Sequence, residues 1–73
     1  MKFYEYKDHT IYPTPRFNTE SGKWKIQLTI RHENKFRIFT QNLSFNTETE
    51  AVFNSIKYGK QLIDEGLDFL NPA

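Results

Sequence analysis

Lys23-Trp24-Lys25-Ile26-Gln27-Leu28-Thr29-Ile30-Arg31 alternates without a slip over nine residues. Trp24, Ile26, Leu28 and Ile30 fall on one side; Lys23, Lys25, Gln27, Thr29 and Arg31 fall on the other. A period of two is the signature of a half-buried β-strand, because successive side chains leave the pleat in opposite directions. One face therefore needs an apolar cover, and the other looks outward and is basic.

The flanking sequence supplies partners for this strand. Downstream, His32-Glu33-Asn34-Lys35 reads as a turn, with Asn34 the residue best suited to a left-handed conformation. Phe36-Arg37-Ile38-Phe39-Thr40 is then a further strand, in which Phe36 and Ile38 share a face and Phe39 lies opposite beside Arg37. Gln41 to Ser44 reads as a connection. Upstream, Asn18-Thr19-Glu20-Ser21-Gly22 is the clearest turn, since Asn and Ser bond locally to backbone and Gly22 accepts positive φ. Thr10-Ile11-Tyr12 has β character; neither Pro13 nor Pro15 can donate to a ladder, so this strand is an edge or its donor side faces away at those positions. The segment from Phe3 to Tyr12 is one bent strand or a tiny hairpin; both fit the sequence.

The cover is a helix. Thr47-Glu48-Thr49-Glu50 fits a capping box, and both glutamates suit the positive end of the helix dipole. Val52, Ile56, Gly59 and Ile63 then form an apolar line, widened by Ala51, Ser55, Tyr58 and Leu62. Gly59 interrupts it where a side chain is expected, which points to close approach of helix and sheet, with Trp24 a candidate for the residue beneath. Gly66 suits a helix end. The expected fold is α+β: a three-stranded antiparallel sheet, with a fourth short N-terminal strand as the alternative, and one C-terminal helix packed on one face. Residues 1–66 form the domain and 67–73 a tail.

A single domain follows from 73 residues. Chains of this size bury only about 60% of the surface they expose when unfolded. Without cysteine there is no disulfide framework and no thiolate zinc site. No run approaches the ~18 apolar residues of a membrane span, and Met1-Lys2-Phe3-Tyr4-Glu5-Tyr6 lacks the apolar core of a signal peptide; the expected location is cytoplasmic. Net charge is only +1, but it is unevenly spread. Residues 1–45 hold eight Lys/Arg against four Asp/Glu, and residues 46–73 hold two against five.

The order Tyr6-x-x-x-Thr10-Ile11-x-Pro13-x-Pro15, Gly22-x-Trp24, Phe45-x-Thr47-x-x-Glu50-Ala51 and Gly59-x-x-x-Ile63-Asp64 resembles a family of small bacterial domains of unknown function. The resemblance covers most of residues 6–66 and implies a short sheet followed by one helix, with no established activity. In that family a glycine often follows the Tyr-x pair; here the position is Asp8. A looser architectural likeness is to the AP2 and integrase arm-type DNA-binding domains, resting on the Trp-bearing strand and the Phe-x-Thr entry into a helix.

Catalysis needs a nucleophile beside a base, or paired acids, in a cleft. His9 and His32 are the only histidines, and each sits in an expected turn without a spaced partner. Glu48 and Glu50 are accounted for by capping, and Asp64-Glu65 lies at a helix end. Gly22, Gly59 and Gly66 are too far apart for a phosphate loop. No metal or cofactor set is recognisable, and neither a membrane partner nor a small-molecule substrate is suggested. The chain therefore reads as a non-enzyme.

Two binding readings follow. The leading one is a protein-interaction module, self-association included. Phe53 lies off the helix's core line, and Leu67, Phe69 and Leu70 are apolar residues in a tail. The alternative is nucleic-acid binding by the outer sheet face, through Lys23, Lys25 and Arg31, with Arg37 and Phe39 joining from the next strand. Bland explanations compete with both: a tail that caps the core, and a face that is ordinary solvated surface.

Overall fold

The computed structural model describes residues 3–66. The strands are β1 (Tyr4–Tyr6), β2 (His9–Pro13), β3 (Arg16–Asn18), β4 (Lys23–His32) and β5 (Lys35–Phe45), and one helix follows, α1 (Glu48–Asp64). The class is α+β, with an antiparallel sheet covered on one face. The alternating stretch is the centre of that sheet. β2 and β3 lie in line along one edge of β4, β5 lies along the other, and β1 sits outside β2.

Five strands appear where three or four were expected, and the prolines are the reason. Pro13 faces Leu28 and Arg16 faces Lys25, three residues on in each strand, so one register runs through β2 and β3. Between them Thr14 donates its backbone N–H to the Gln27 carbonyl (2.8 Å). Pro13 and Pro15 have no N–H to give, so one line of chain along β4 is cut into two strands; β2 is not itself an edge, since it pairs with β1 as well as with β4.

The N-terminal segment is a tiny hairpin. Its loop residues Lys7 and Asp8 have φ of 47° and 65°, as a two-residue type I′ turn requires. In the β3–β4 loop the Asn18 side chain accepts from the Glu20 and Ser21 N–H groups, and Gly22 takes φ 70°. The β4–β5 turn corrects an expectation: the positive φ (58°) falls on Glu33, not Asn34. Both primed hairpin turns place φ > 0 at the first of the two loop residues, whichever residue stands there. Gln41 to Ser44 is likewise strand rather than connection. The ladder shifts by two residues at Asn42-Leu43 and resumes with Lys25 facing Ser44 and Trp24 facing Phe45. An even shift keeps the alternation of faces intact, so Phe39, Gln41 and Phe45 all share the side of Leu28, Ile26 and Trp24.

α1 begins at the expected cap. Thr47 Oγ1 accepts from the Glu50 N–H (3.1 Å) and donates to Glu50 Oε1 (3.0 Å). Its buried line is Ala51, Ser55, Gly59 and Ile63: the expected line holds at Gly59 and Ile63, while in the first two turns Ala51 and Ser55 take the buried places and Val52 and Ile56 are half-buried. Small residues thus occupy the middle of the contact and the backbone comes close to the sheet. The residues under Gly59 are Leu28 and Ile11, not Trp24. Ile11, Leu28 and Ile30 are fully buried and Ile26 nearly so. Burying each such side chain contributes about 1.5–3 kcal/mol. Trp24 is half-buried at the margin, its ring 5.1 Å from that of Phe17. Among the described residues no helix is long and apolar enough to cross a membrane.

Candidate functional site

With α1 on one face, the other face of the sheet carries no element among the described residues. Cross-strand register sets its rows. Arg31 stands between Thr10 and Phe36, and Thr29 between Tyr12 and Ile38. Gln27 faces Thr40 on one side and donates through Nε2 to Thr14 Oγ1 (3.3 Å) on the other. Lys25 stands between Arg16 and Ser44, and Lys23 beside Asn18.

Lys23, Lys25 and Arg31 lie on this face and are exposed, as their alternation requires. Arg37 and Phe39 do not join them. Arg37 faces Ile30 and Phe39 faces Leu28, on the helix side, where Phe39 packs against the core. The correction follows from pairing, since residues directly opposite each other share a face. Phe36 and Ile38 take the outward places instead, 70% and 59% exposed. Arg16 and Tyr12 also belong to the face and were not anticipated. Phe3, 58% exposed, lays its ring 5.9 Å from that of Tyr12.

The face has two halves. One is apolar, with Phe36, Ile38, Tyr12 and Phe3 around Arg31. The other is polar and basic. There an open groove of about 570 Å³ is lined by Arg16, Asn18, Lys25, Gln27 and Thr40, with Glu20 at its lip. Arg16, Lys23, Lys25 and Arg31 are opposed on the strands of this face by Glu5 alone, which pairs with Thr10. Among the described residues none of the four cations is in an ion pair; Arg31 Nε donates to the Glu33 carbonyl (3.1 Å). The acids Glu48, Glu50 and Asp64 belong to α1, on the far side of the sheet.

The remaining charged groups of the sheet end are structural ties. Tyr6 donates to both Asp64 carboxylate oxygens (3.0 Å each), and Lys7 Nζ meets Asp64 Oδ1 at 2.6 Å. The hydrogen bond from Lys7, then that from Tyr6, holds the Asp64 carboxyl below its ordinary value. The same hydrogen bond, with the charge of Asp64, raises Lys7. Lys60 lies over the Tyr4 ring, 4.2 Å from its centroid. These contacts fasten the β1–β2 hairpin to the end of α1.

His9 and His32, which the sequence left as separate turn residues, stack at 4.4 Å between centroids. Their Nδ1 atoms sit 2.6 Å from the Lys7 carbonyl and 2.9 Å from the Asp8 carbonyl. A carbonyl can only accept, so each Nδ1 carries the proton. Among the described residues the one carboxylate paired with either ring is Glu33, 3.9 Å from His32 Nε2, and no cluster of three metal-binding side chains occurs.

Of the expected interface residues, Phe53 is 67% exposed on the outer side of α1. Leu67, Phe69 and Leu70 lie outside the described residues.

No protein-family model matches the chain, and no curated protein matches it. The face has to be read from its own chemistry.

Proposed function

We propose that the protein is a non-catalytic binding module that holds nucleic acid on the open face of its sheet. The observation that carries this reading is the co-location of Arg16, Lys23, Lys25 and Arg31 with exposed rings on one uncovered surface. Cations follow phosphates, and rings meet bases. The sheet segment of residues 1–45 holds eight Lys/Arg against four Asp/Glu, so the field on this side is net positive. The looser likeness to sheet-plus-helix DNA readers agrees with it but is one of architecture.

The test is a salt titration with labelled oligonucleotides. Four neutralised phosphates give a log–log slope of about −2.8 on single strands and about −3.6 on duplex. Lys25→Glu should weaken binding to all sequences alike, because phosphate contacts carry no sequence information. Absence of binding to any oligonucleotide at 50 mM salt refutes the reading.

One observation favours a second reading, a protein-interaction module. Phe53 exposes a large ring on α1, away from both the core and the basic face. Sedimentation at two concentrations tests it: self-association that disappears in Phe53→Ser supports this surface, and a monomer at both concentrations removes self-association through it.

A further inference from the structure

We infer that the ligand of the open face is a single strand, with bases stacked on Phe36 and on the Tyr12–Phe3 pair and phosphates following Arg31, Lys25, Lys23 and Arg16. This rests on the nucleic-acid reading above and goes beyond it by naming the form of the ligand.

The layout of the face carries the inference. Its apolar half presents Phe36, Ile38 and Phe3 well out into solvent. In a duplex the base faces are stacked on one another, and only their edges and the backbone are offered. Rings of this kind gain nothing against phosphates. Against an unpaired base each offers a stacking platform, and stacking tolerates any base. Phe36 and Tyr12 lie on strands two apart and in adjacent rows. At ~4.8 Å between strands and ~3.4 Å per residue their Cα atoms are about 12 Å apart, so two splayed bases can be held at once. The floor between them is Thr29 and Arg31 of β4.

The middle rows of β4 offer a groove reader little beyond Arg31, whose Nε already donates to the Glu33 carbonyl. Base edges in the major groove are read by Arg, Asn or Gln acting with two hydrogen bonds. The central side chains here are Thr29 and Gln27, and the Gln27 amide is already engaged by Thr14. The basic half then acts as the track for the backbone. Lys23 and Arg31 are eight residues apart on one strand, about 27 Å, and Lys25 and Arg16 line the groove on this half of the face. A second copy of this chain is a poor occupant, because two such faces would bring like charges together.

The experiment measures fluorescence anisotropy of the 73-residue chain with labelled oligo-dT of twelve nucleotides and with a hairpin duplex, at 50 and 150 mM salt. The variants are Phe36→Ala, Phe36→Tyr and Lys25→Glu. Phe36 is so exposed that its removal leaves the core intact, and a thermal melt checks this. The expected result is tighter binding to oligo-dT than to duplex. Phe36→Ala should lose roughly 5- to 140-fold on oligo-dT with the salt slope unchanged. Phe36→Tyr should retain binding, and Lys25→Glu should reduce the slope. Equal or tighter duplex binding, with Phe36→Ala silent and Lys25→Glu weakening both, overturns the single-strand inference and leaves the nucleic-acid reading standing. Failure of every oligonucleotide at 50 mM salt overturns both. A change in sedimentation, rather than in oligonucleotide affinity, on Phe36→Ala makes the ring half a protein contact and also overturns the inference.

Discussion

Gly59→Ala opposes two effects that can be sized from the structure. In an exposed helix the change stabilises by about 1 kcal/mol, because alanine loses less backbone freedom on folding. Here a Cβ on residue 59 would stand 2.8 Å from Leu28 Cδ1, 3.0 Å from Ile11 Cδ1 and 3.1 Å from Ile11 Cγ2. Comfortable carbon contacts are about 3.5–4.0 Å. Leu28 and Ile11 are both fully buried, so neither has open space to rotate into, and forcing a methyl into a filled core costs about 1–3 kcal/mol. The overlap wins, and the net loss is about 1 kcal/mol. For a domain of this size that lowers Tm by roughly 4–8 °C. Thermal melts followed by far-UV circular dichroism and by Trp24 fluorescence measure it, and coincident curves confirm a two-state transition.

A double-mutant cycle separates the contact from any general effect. Ile11→Val deletes the Cδ1 atom that lies 3.0 Å from the added methyl and should cost about 0.5–1.5 kcal/mol in the parent chain. In the Gly59→Ala background it should cost at least about 0.5 kcal/mol less, because it relieves the overlap. An unchanged or higher Tm for Gly59→Ala, or strict additivity in the cycle, refutes the argument that close packing under this turn of α1 sets the requirement for glycine.

Ser55→Ala should raise stability by about 1 kcal/mol, since the Ser55 hydroxyl is fully buried and has no hydrogen-bond partner among the described residues; a lower urea midpoint would show that the hydroxyl is bonded in solution. Thr47→Ala removes the acceptor for the Glu50 N–H and should cost about 1 kcal/mol; an unchanged melt places the helix start elsewhere. Asp64 is held below the usual carboxylate range by Lys7 and Tyr6, so its contribution is complete above the unfolded value of about 3.9 and disappears as pH falls through the lower folded value. Tm should therefore drop on acidification below about pH 4, and Asp64→Asn should flatten that limb; an identical acid profile in the variant sinks the assignment.

The sheet and its cover were legible because β4 alternates perfectly and Thr47 opens α1 with a strong cap. The strand count was not, since a proline pair interrupts the ladder while leaving the register intact, and composition cannot show that Thr14 still bonds to Gln27. The helix line holds at Gly59 and Ile63 but lies one position off in the first two turns, because periodicity weights Val52 and Ile56 above Ala51 and Ser55. Close packing favours the small residues, and only the sheet's own surface reveals how near the helix sits. The assignment of Arg37 and Phe39 to the outer face was avoidable. A turn centred on Glu33 and Asn34 puts Arg31 opposite Phe36 whether the loop is counted as two residues or four. Arg31 was already known to face outward, so Phe36 and Ile38 had to accompany it. Arg16 was hidden behind Pro15, in a segment whose pairing could not be inferred across the break.

The two faces of this sheet differ in what they carry, and the alternation of β4 keeps them separate. Ile26, Leu28 and Ile30 make the core with Ile11 and α1, while their neighbours Lys25, Gln27, Thr29 and Arg31 touch none of it. Exposed Phe36 and Ile38 add nothing to that core, and on an edge strand they invite pairing with another chain. β5 carries counter-measures: Lys35 and Arg37 flank Phe36, and the shift at Asn42-Leu43 breaks the regularity of the edge. A strand protected along its edge but left apolar on its outer face is suited to contact through side chains rather than through backbone. That distinction favours a ligand lying flat across the sheet over one added as a further strand. It also makes the surface experimentally clean, because substitutions at Lys25, Arg31 or Phe36 change what the face can hold without entering the packing that keeps the domain folded.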